Sequence, residues 1–242
     1  MFSLYICDKV IRIEEEKGSF LRFCRGYIVK EPAPEPDFVI RVTEKEIDAQ
    51  RVLSKIEWVP ILSSFVVARK LAKRLLESEC TLLIHGSVVA YQNAAFMFTA
   101  SSGTGKTTHS LLWTNNLPDA CILNGDKPFI STGEKIRAWG SPWCGSERYN
   151  RNEGIELKAI CFLERAEKNR IVEITDEEAI PMLALQTADP DPDDFRTKIW
   201  MMEGLNRLRG RIKFYRYEMN NLAQEEAFHT TYEELSKLLE RN

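Results

Sequence analysis

One nine-residue stretch, Ala100-Ser101-Ser102-Gly103-Thr104-Gly105-Lys106-Thr107-Thr108, constrains this chain more than anything else in it. It follows the apolar run Ala94–Thr99 and opens a segment carrying Leu111, Leu112 and Trp113. Strand, glycine loop and helix in that order are the context of the G-x-x-x-x-G-K-[ST] phosphate loop, matched here with Ala100 in place of the first glycine. Gly103 and Gly105 let backbone amides converge on phosphate oxygens with no Cβ in the way, and the helix start adds partial positive charge. Lys106 would neutralise the β and γ phosphates of a nucleotide, and Thr107 would offer its hydroxyl to Mg²⁺. The alternative is a tight glycine turn with no ligand.

A metal-bound phosphate needs an acid, usually at the end of a neighbouring apolar strand. Cys121-Ile122-Leu123-Asn124-Gly125-Asp126 supplies Asp126, although Asn-Gly and Gly-Asp are also turn-formers. Thr107 and Asp126 are thus the expected metal ligands. Asp189-Pro190-Asp191-Pro192-Asp193-Asp194 reads instead as a solvated helix-entry loop, because its prolines splay the carboxylates.

Around this centre the pattern predicts an α/β chain with a mixed central sheet and a β-rich amino-terminal subdomain. Residues 1–62 form that subdomain, with strands at Leu4–Ile6, Val10–Ile13, Phe20–Phe23 and Phe38–Val42 and a proline-broken loop at Glu31–Pro36. Residues 63–242 form the nucleotide-binding domain. Its helix over Ser63–Ser78 precedes strands at Thr81–Ile84, Ser87–Ala90 and Ala94–Thr99, the last two joined by a hairpin turn at Tyr91-Gln92-Asn93. Further strands are predicted at Ala120–Leu123, Phe129–Ile130, Ile136–Trp139, Leu157–Leu163 and Arg170–Ile174. Helices follow from Thr175 through Leu185, from Asp193-Asp194 through Leu208, and over Leu222–Leu239.

Composition narrows the function classes. Thirty-three Lys and Arg against 36 Asp and Glu give a formal charge of −3, so no overall positive field gathers nucleic acid. The six cysteines form no C-x-x-C pair and only three histidines accompany them, which points to free thiols in a reducing, cytoplasmic setting. No run approaches the ~18 apolar residues of a membrane span.

Ser102 to Thr108 resembles the S-G-x-G-K-T loop shared by HPr kinase/phosphorylase and ATP-dependent phosphoenolpyruvate carboxykinase. His85-Gly86 strengthens the resemblance, since HPr kinases carry a His-Gly pair on the strand-turn unit before the loop. The likeness covers roughly residues 63 to 175, and Lys213–Asn220 resembles a closing strand of small HPr-kinase-like proteins. It implies an HPr kinase/carboxykinase-type P-loop fold that binds ATP with Mg²⁺ through Ser102–Thr108. The implied activity is transfer of the γ-phosphoryl to a hydroxyl, such as a serine of a small protein or peptide or a small molecule. Two departures stand out: HPr kinases place two consecutive aspartates where this chain has Gly125-Asp126, and the first 62 residues do not resemble their regulatory domain. With one acid missing, His85 becomes the candidate base. Arg148, in the loop Trp139–Asn150, either neutralises transferred charge or caps carbonyls of a packed aromatic loop. The rival functions are a non-catalytic nucleotide-binding regulator and a carboxykinase-like enzyme, and a homo-oligomer is compatible with all three.

Overall fold

The computed structural model describes residues 1–15, 20–220 and 222–239. Strand β1 (Phe2–Ile6) turns back through Cys7-Asp8, both at positive φ, into antiparallel β2 (Lys9–Glu15), whose Ile11 and Ile13 alternate inward. The residues Phe20–Phe23, expected as a strand, form a 3₁₀ turn instead. Their backbone bonds are local, with Cys24 N–H donating to Leu21 O, and Phe20 is anchored by stacking on Trp143 at 5.5 Å rather than by a ladder. Strand β3 (Phe38–Val42) joins β2 in parallel and completes a sheet of order β1-β2-β3.

Helix α1 (Glu44–Ser54) is absent from the sequence reading. A Thr43–Glu46 capping box starts it: Thr43 Oγ1 accepts from Glu46 N–H while the Glu46 carboxylate accepts from Thr43 N–H. Helix α2 (Val59–Glu79) begins a turn earlier than predicted, with Pro60 in its first turn, where a missing N–H costs nothing. Its stripe of Leu62, Val66, Val67 and Leu71 shares one core with Ile11, Ile13, Phe129 and Trp143.

Strand β4 (Leu82–Leu83) is followed by β5 (Ser87–Tyr91) and β6 (Ala94–Thr99), an antiparallel hairpin closed by Gln92 and Asn93 at φ 48° and 63°. The loop 100–105 leads into α3 (Lys106–Asn116), and the chain returns as β7 (Cys121–Asn124), β8 (Phe129–Thr132) and β9 (Ile136–Trp139). Strand β10 (Gly154–Arg165) precedes β11 (Arg170–Ile174), α4 (Asp176–Ala184), α5 (Phe195–Asn206), β12 (Lys213–Met219) and α6 (Gln224–Leu235).

These strands make a nine-stranded mixed sheet with β10 as its spine. One edge of β10 runs parallel to β6, while the other pairs first with β9 and then with β12, leaving β11 beyond β12. Every residue of β6 is buried, because helices cover both faces of the sheet. Ala95 and Met97 pack with Ile180 and Leu205 on one side, and Phe96 and Phe98 with Trp113 and Phe228 on the other. No helix of the described residues is long and apolar enough to cross a membrane, and the six cysteines are free thiols.

Candidate functional site

The parallel strands β6 and β10 end at one edge of the sheet, the usual place for a ligand in α/β folds. Six residues separate β6 from α3, and the reversal between strand and helix falls on glycines: Gly103 has φ 79° and Gly105 has φ 121°. An added Cβ at Gly103 would meet nothing within 4 Å, so the loop faces open space. No side chain caps α3 and no acid lies in its first turn, which leaves its first N–H groups directed at the loop.

The residues of the loop divide between structure and display. Thr104 Oγ1 donates to Ser101 O at 2.9 Å and so ties the turn together, whereas Ser102 and Thr108 are exposed. Thr107 is half-buried on the first turn of α3. Lys106 is buried and folds back over the loop, its Nζ donating to Ala100 O at 2.9 Å and Ser101 O at 3.1 Å. Burial lowers its pKa, partly offset by the charge of Asp126, which places that carboxylate in the same electrostatic neighbourhood.

His85 and Asp126 reach this corner from different elements. Thr99 Oγ1, at the end of β6, donates to His85 O at 2.7 Å, and Gly86 N–H donates to Asp126 O at 2.8 Å. The side chains then meet, with His85 Nε2 3.3 Å from Asp126 Oδ1 and Lys127 Nζ 3.1 Å from Asp126 Oδ2. Burial alone would raise the Asp126 pKa, but the hydrogen bond with His85 and the Lys127 charge outweigh it and hold the carboxyl at about 2. Asp126 is therefore ionised at neutral pH. Buried Asn124 fixes the turn that presents it, its Oδ1 accepting from the N–H groups of Asp126 and Lys127 at 2.9 and 2.8 Å.

The loop after β9 splits into two halves. Trp143 is packed, its indole N–H donating to Ser64 Oγ at 2.9 Å, while Gly145 to Tyr149 lie along the Asp126 turn. Gly125 N–H donates to Tyr149 O at 2.9 Å, and Arg148 stands exposed at φ 58° with its charge acting on the Cys144 thiol. The Asp189–Asp194 segment is the helix-entry loop expected of it: Lys73 Nζ sits 2.7 Å from Asp191 and 3.1 Å from Asp194, and the Asp194 side chain caps α5.

Two contributors escaped the sequence reading. Arg165, at the end of β10, donates from its guanidinium to Gly103 O and Thr104 O and braces the loop from outside. Gln186 lies beside His85, its O accepting from His85 N–H at 2.8 Å and its Oε1 3.3 Å from Nδ1. Neither residue belongs to a motif of fixed spacing, so no signal in the sequence marks them.

Among the described residues no group of three or more His, Cys, Asp or Glu side chains is arranged to hold a metal. Asp126 and the Thr107 hydroxyl nevertheless suit Mg²⁺, a hard cation usually held by one or two carboxylates together with phosphate oxygens and water. Fold and site together define a mixed α/β protein with a glycine loop at a helix start and an ionised Asp126 in contact with His85 beside it. No protein-family model matches the chain, and no curated protein matches it.

Proposed function

We propose that the chain is a P-loop kinase with the fold type of HPr kinase and phosphoenolpyruvate carboxykinase, transferring the γ-phosphoryl of MgATP to a hydroxyl. One observation carries this reading: the glycine turn, the uncapped start of α3, Lys106 and an ionised Asp126 in contact with His85 converge at the end of β6. A buried ammonium within the field of an ionised carboxylate supports this reading over a tight turn without a ligand.

Bound MgATP supplies the phosphoryl group and the leaving diphosphate. The loop amides of Gly103, Gly105 and Lys106, with the Lys106 ammonium, hold the phosphates, and Thr107 and Asp126 hold the cation. In the free chain the ionised Asp126 can only accept, so His85 Nε2 carries a proton toward it; with Asp126 holding the cation, the tautomer that donates from Nδ1–H to Gln186 Oε1 would leave Nε2 free as the base. The acceptor oxygen forms a bond to the γ-phosphorus as the bond to the β-bridging oxygen breaks. The acceptor proton passes to His85 Nε2, where Asp126 Oδ1 stabilises the imidazolium. A carboxylate has about four lone-pair sites, enough for the cation and this contact together.

A second reading, nucleotide binding without turnover, is favoured by Gly125. A Cβ there would lie 2.8 Å from Cys144 O, so the backbone leaves no room for the second aspartate of HPr kinases. Incubation with γ-labelled ATP, Mg²⁺ and serine-containing peptides or small alcohols separates the two. Kinase activity gives Mg²⁺-dependent label transfer, the regulator binds ATP and transfers none, and a chain that binds no nucleotide contradicts both.

A further inference from the structure

Helix α5 buries one side and displays the other. Thr197 and Leu205 are fully buried, and a Cβ on Gly204 would lie 2.9 Å from Cys80 O, so the inner face is packed to contact. On the outer face Phe195 is 71% exposed, Ile199 51% and Met202 47%, with exposed Asn206 next in line. Spacings of four, three and four residues make a heptad seam of alternating d and a positions that no element of the described residues covers. Apolar stripes of this kind mark interaction sites.

We propose that this face is the interface between two copies of the chain, packed as antiparallel helices about a two-fold axis at the middle of α5. The stripe is self-complementary in that arrangement. Ile199 of each copy meets Met202 of the other in two central layers, and Phe195 meets Asn206 in two outer ones. The flank carries opposite charges: Arg196, toward the amino end of one helix and bound to Asp194 through Nε and Nη2, brings its remaining N–H groups beside Glu203, toward the carboxyl end of the other and bound to Arg207 through Oε1, and the pairing occurs twice. Asn206 faces Phe195 and gains no amide partner, and a single pair of 12-residue helices is a small interface, so the dimer is a weak one. The inference is independent of the nucleotide reading.

Sedimentation equilibrium from low micromolar to near-millimolar protein tests it. The expected result is a reversible monomer–dimer transition, with Kd raised by about tenfold or more in Ile199→Glu and in Met202→Lys. Val52→Glu, at an exposed apolar position on α1, keeps the wild-type Kd. Circular dichroism establishes that each variant is folded, and both seam positions are exposed, so loss of the dimer reports the interface. A wild-type chain that stays monomeric throughout, or folded Ile199→Glu and Met202→Lys variants that dimerise as tightly as the wild type, overturns the proposal.

Discussion

His85 faces Gln186 through Nδ1 and Asp126 through Nε2, and in the proposed kinase this would separate binding from transfer at the residue scale. Replacing it with asparagine removes the proposed proton acceptor and no proposed phosphate contact. His85→Asn is expected to keep Mg²⁺-dependent ATP affinity and to lose about a hundredfold or more in single-turnover transfer. Asp126→Asn is expected to bind ATP with no enhancement by Mg²⁺, because the charge that attracts the cation is gone; a cation titration followed by nucleotide calorimetry reads both. The two arginines divide differently. Arg165→Ala releases the carbonyls of Gly103 and Thr104 and should weaken ATP binding about tenfold with the fold intact. Arg148→Ala should lower transfer far more than affinity, if its exposed guanidinium meets charge only as the acceptor is attacked. Wild-type transfer with a lowered melting temperature would instead make Arg148 a structural residue of its loop.

At the scale of elements, legibility followed burial. Strand β6 was readable because a six-residue apolar run buried on both faces has few alternatives, and the β5–β6 turn because Gln92 and Asn93 sit between matched strands. Helix α1 was not: it buries only Ile47 and leaves Val52 and Leu53 exposed, so it shows no apolar stripe. Its one signal was Thr43 three residues before Glu46. Thr43→Ala should cost about 1 kcal/mol, read from the urea midpoint, since Glu46 N–H loses its Oγ1 acceptor while the backbone half of the capping box remains. Phe20–Phe23 failed in the opposite sense, as aromatic residues that promise a strand turned inward to meet Trp143. The loop 100–105 and the acid at Asp126 were visible as motifs. The pairing of His85 with Asp126 and the brace from Arg165 depend on strand order, which a local pattern does not carry.

At the scale of the whole molecule, α3 and α6 are joined through His109, whose Nε2 lies 3.1 Å from Thr231 Oγ1 while Nδ1 is buried with no partner among the described residues. Burial pushes this imidazole down to about 3 from the ordinary 6.5. The unfolded chain takes up a proton below 6.5 that the folded chain refuses until about 3, so stability is full above that window and falls within it as pH drops. The slope is about 1.4 kcal/mol per pH unit at most. Urea midpoints should decline from pH 6.5 toward 4, and His109→Gln, which keeps a polar group for Thr231, should flatten that decline. The central claim is that the turn between β6 and α3 holds nucleotide phosphate, and titration calorimetry of MgATP into the wild type and Lys106→Ala tests it most directly. The wild type should bind MgATP, and Lys106→Ala should bind it at least about a hundredfold more weakly, because the phosphates then face amide dipoles alone. A folded Lys106→Ala variant with wild-type affinity, or a wild-type chain that gives no binding heat and no competition with a fluorescent ATP analogue, would contradict the account.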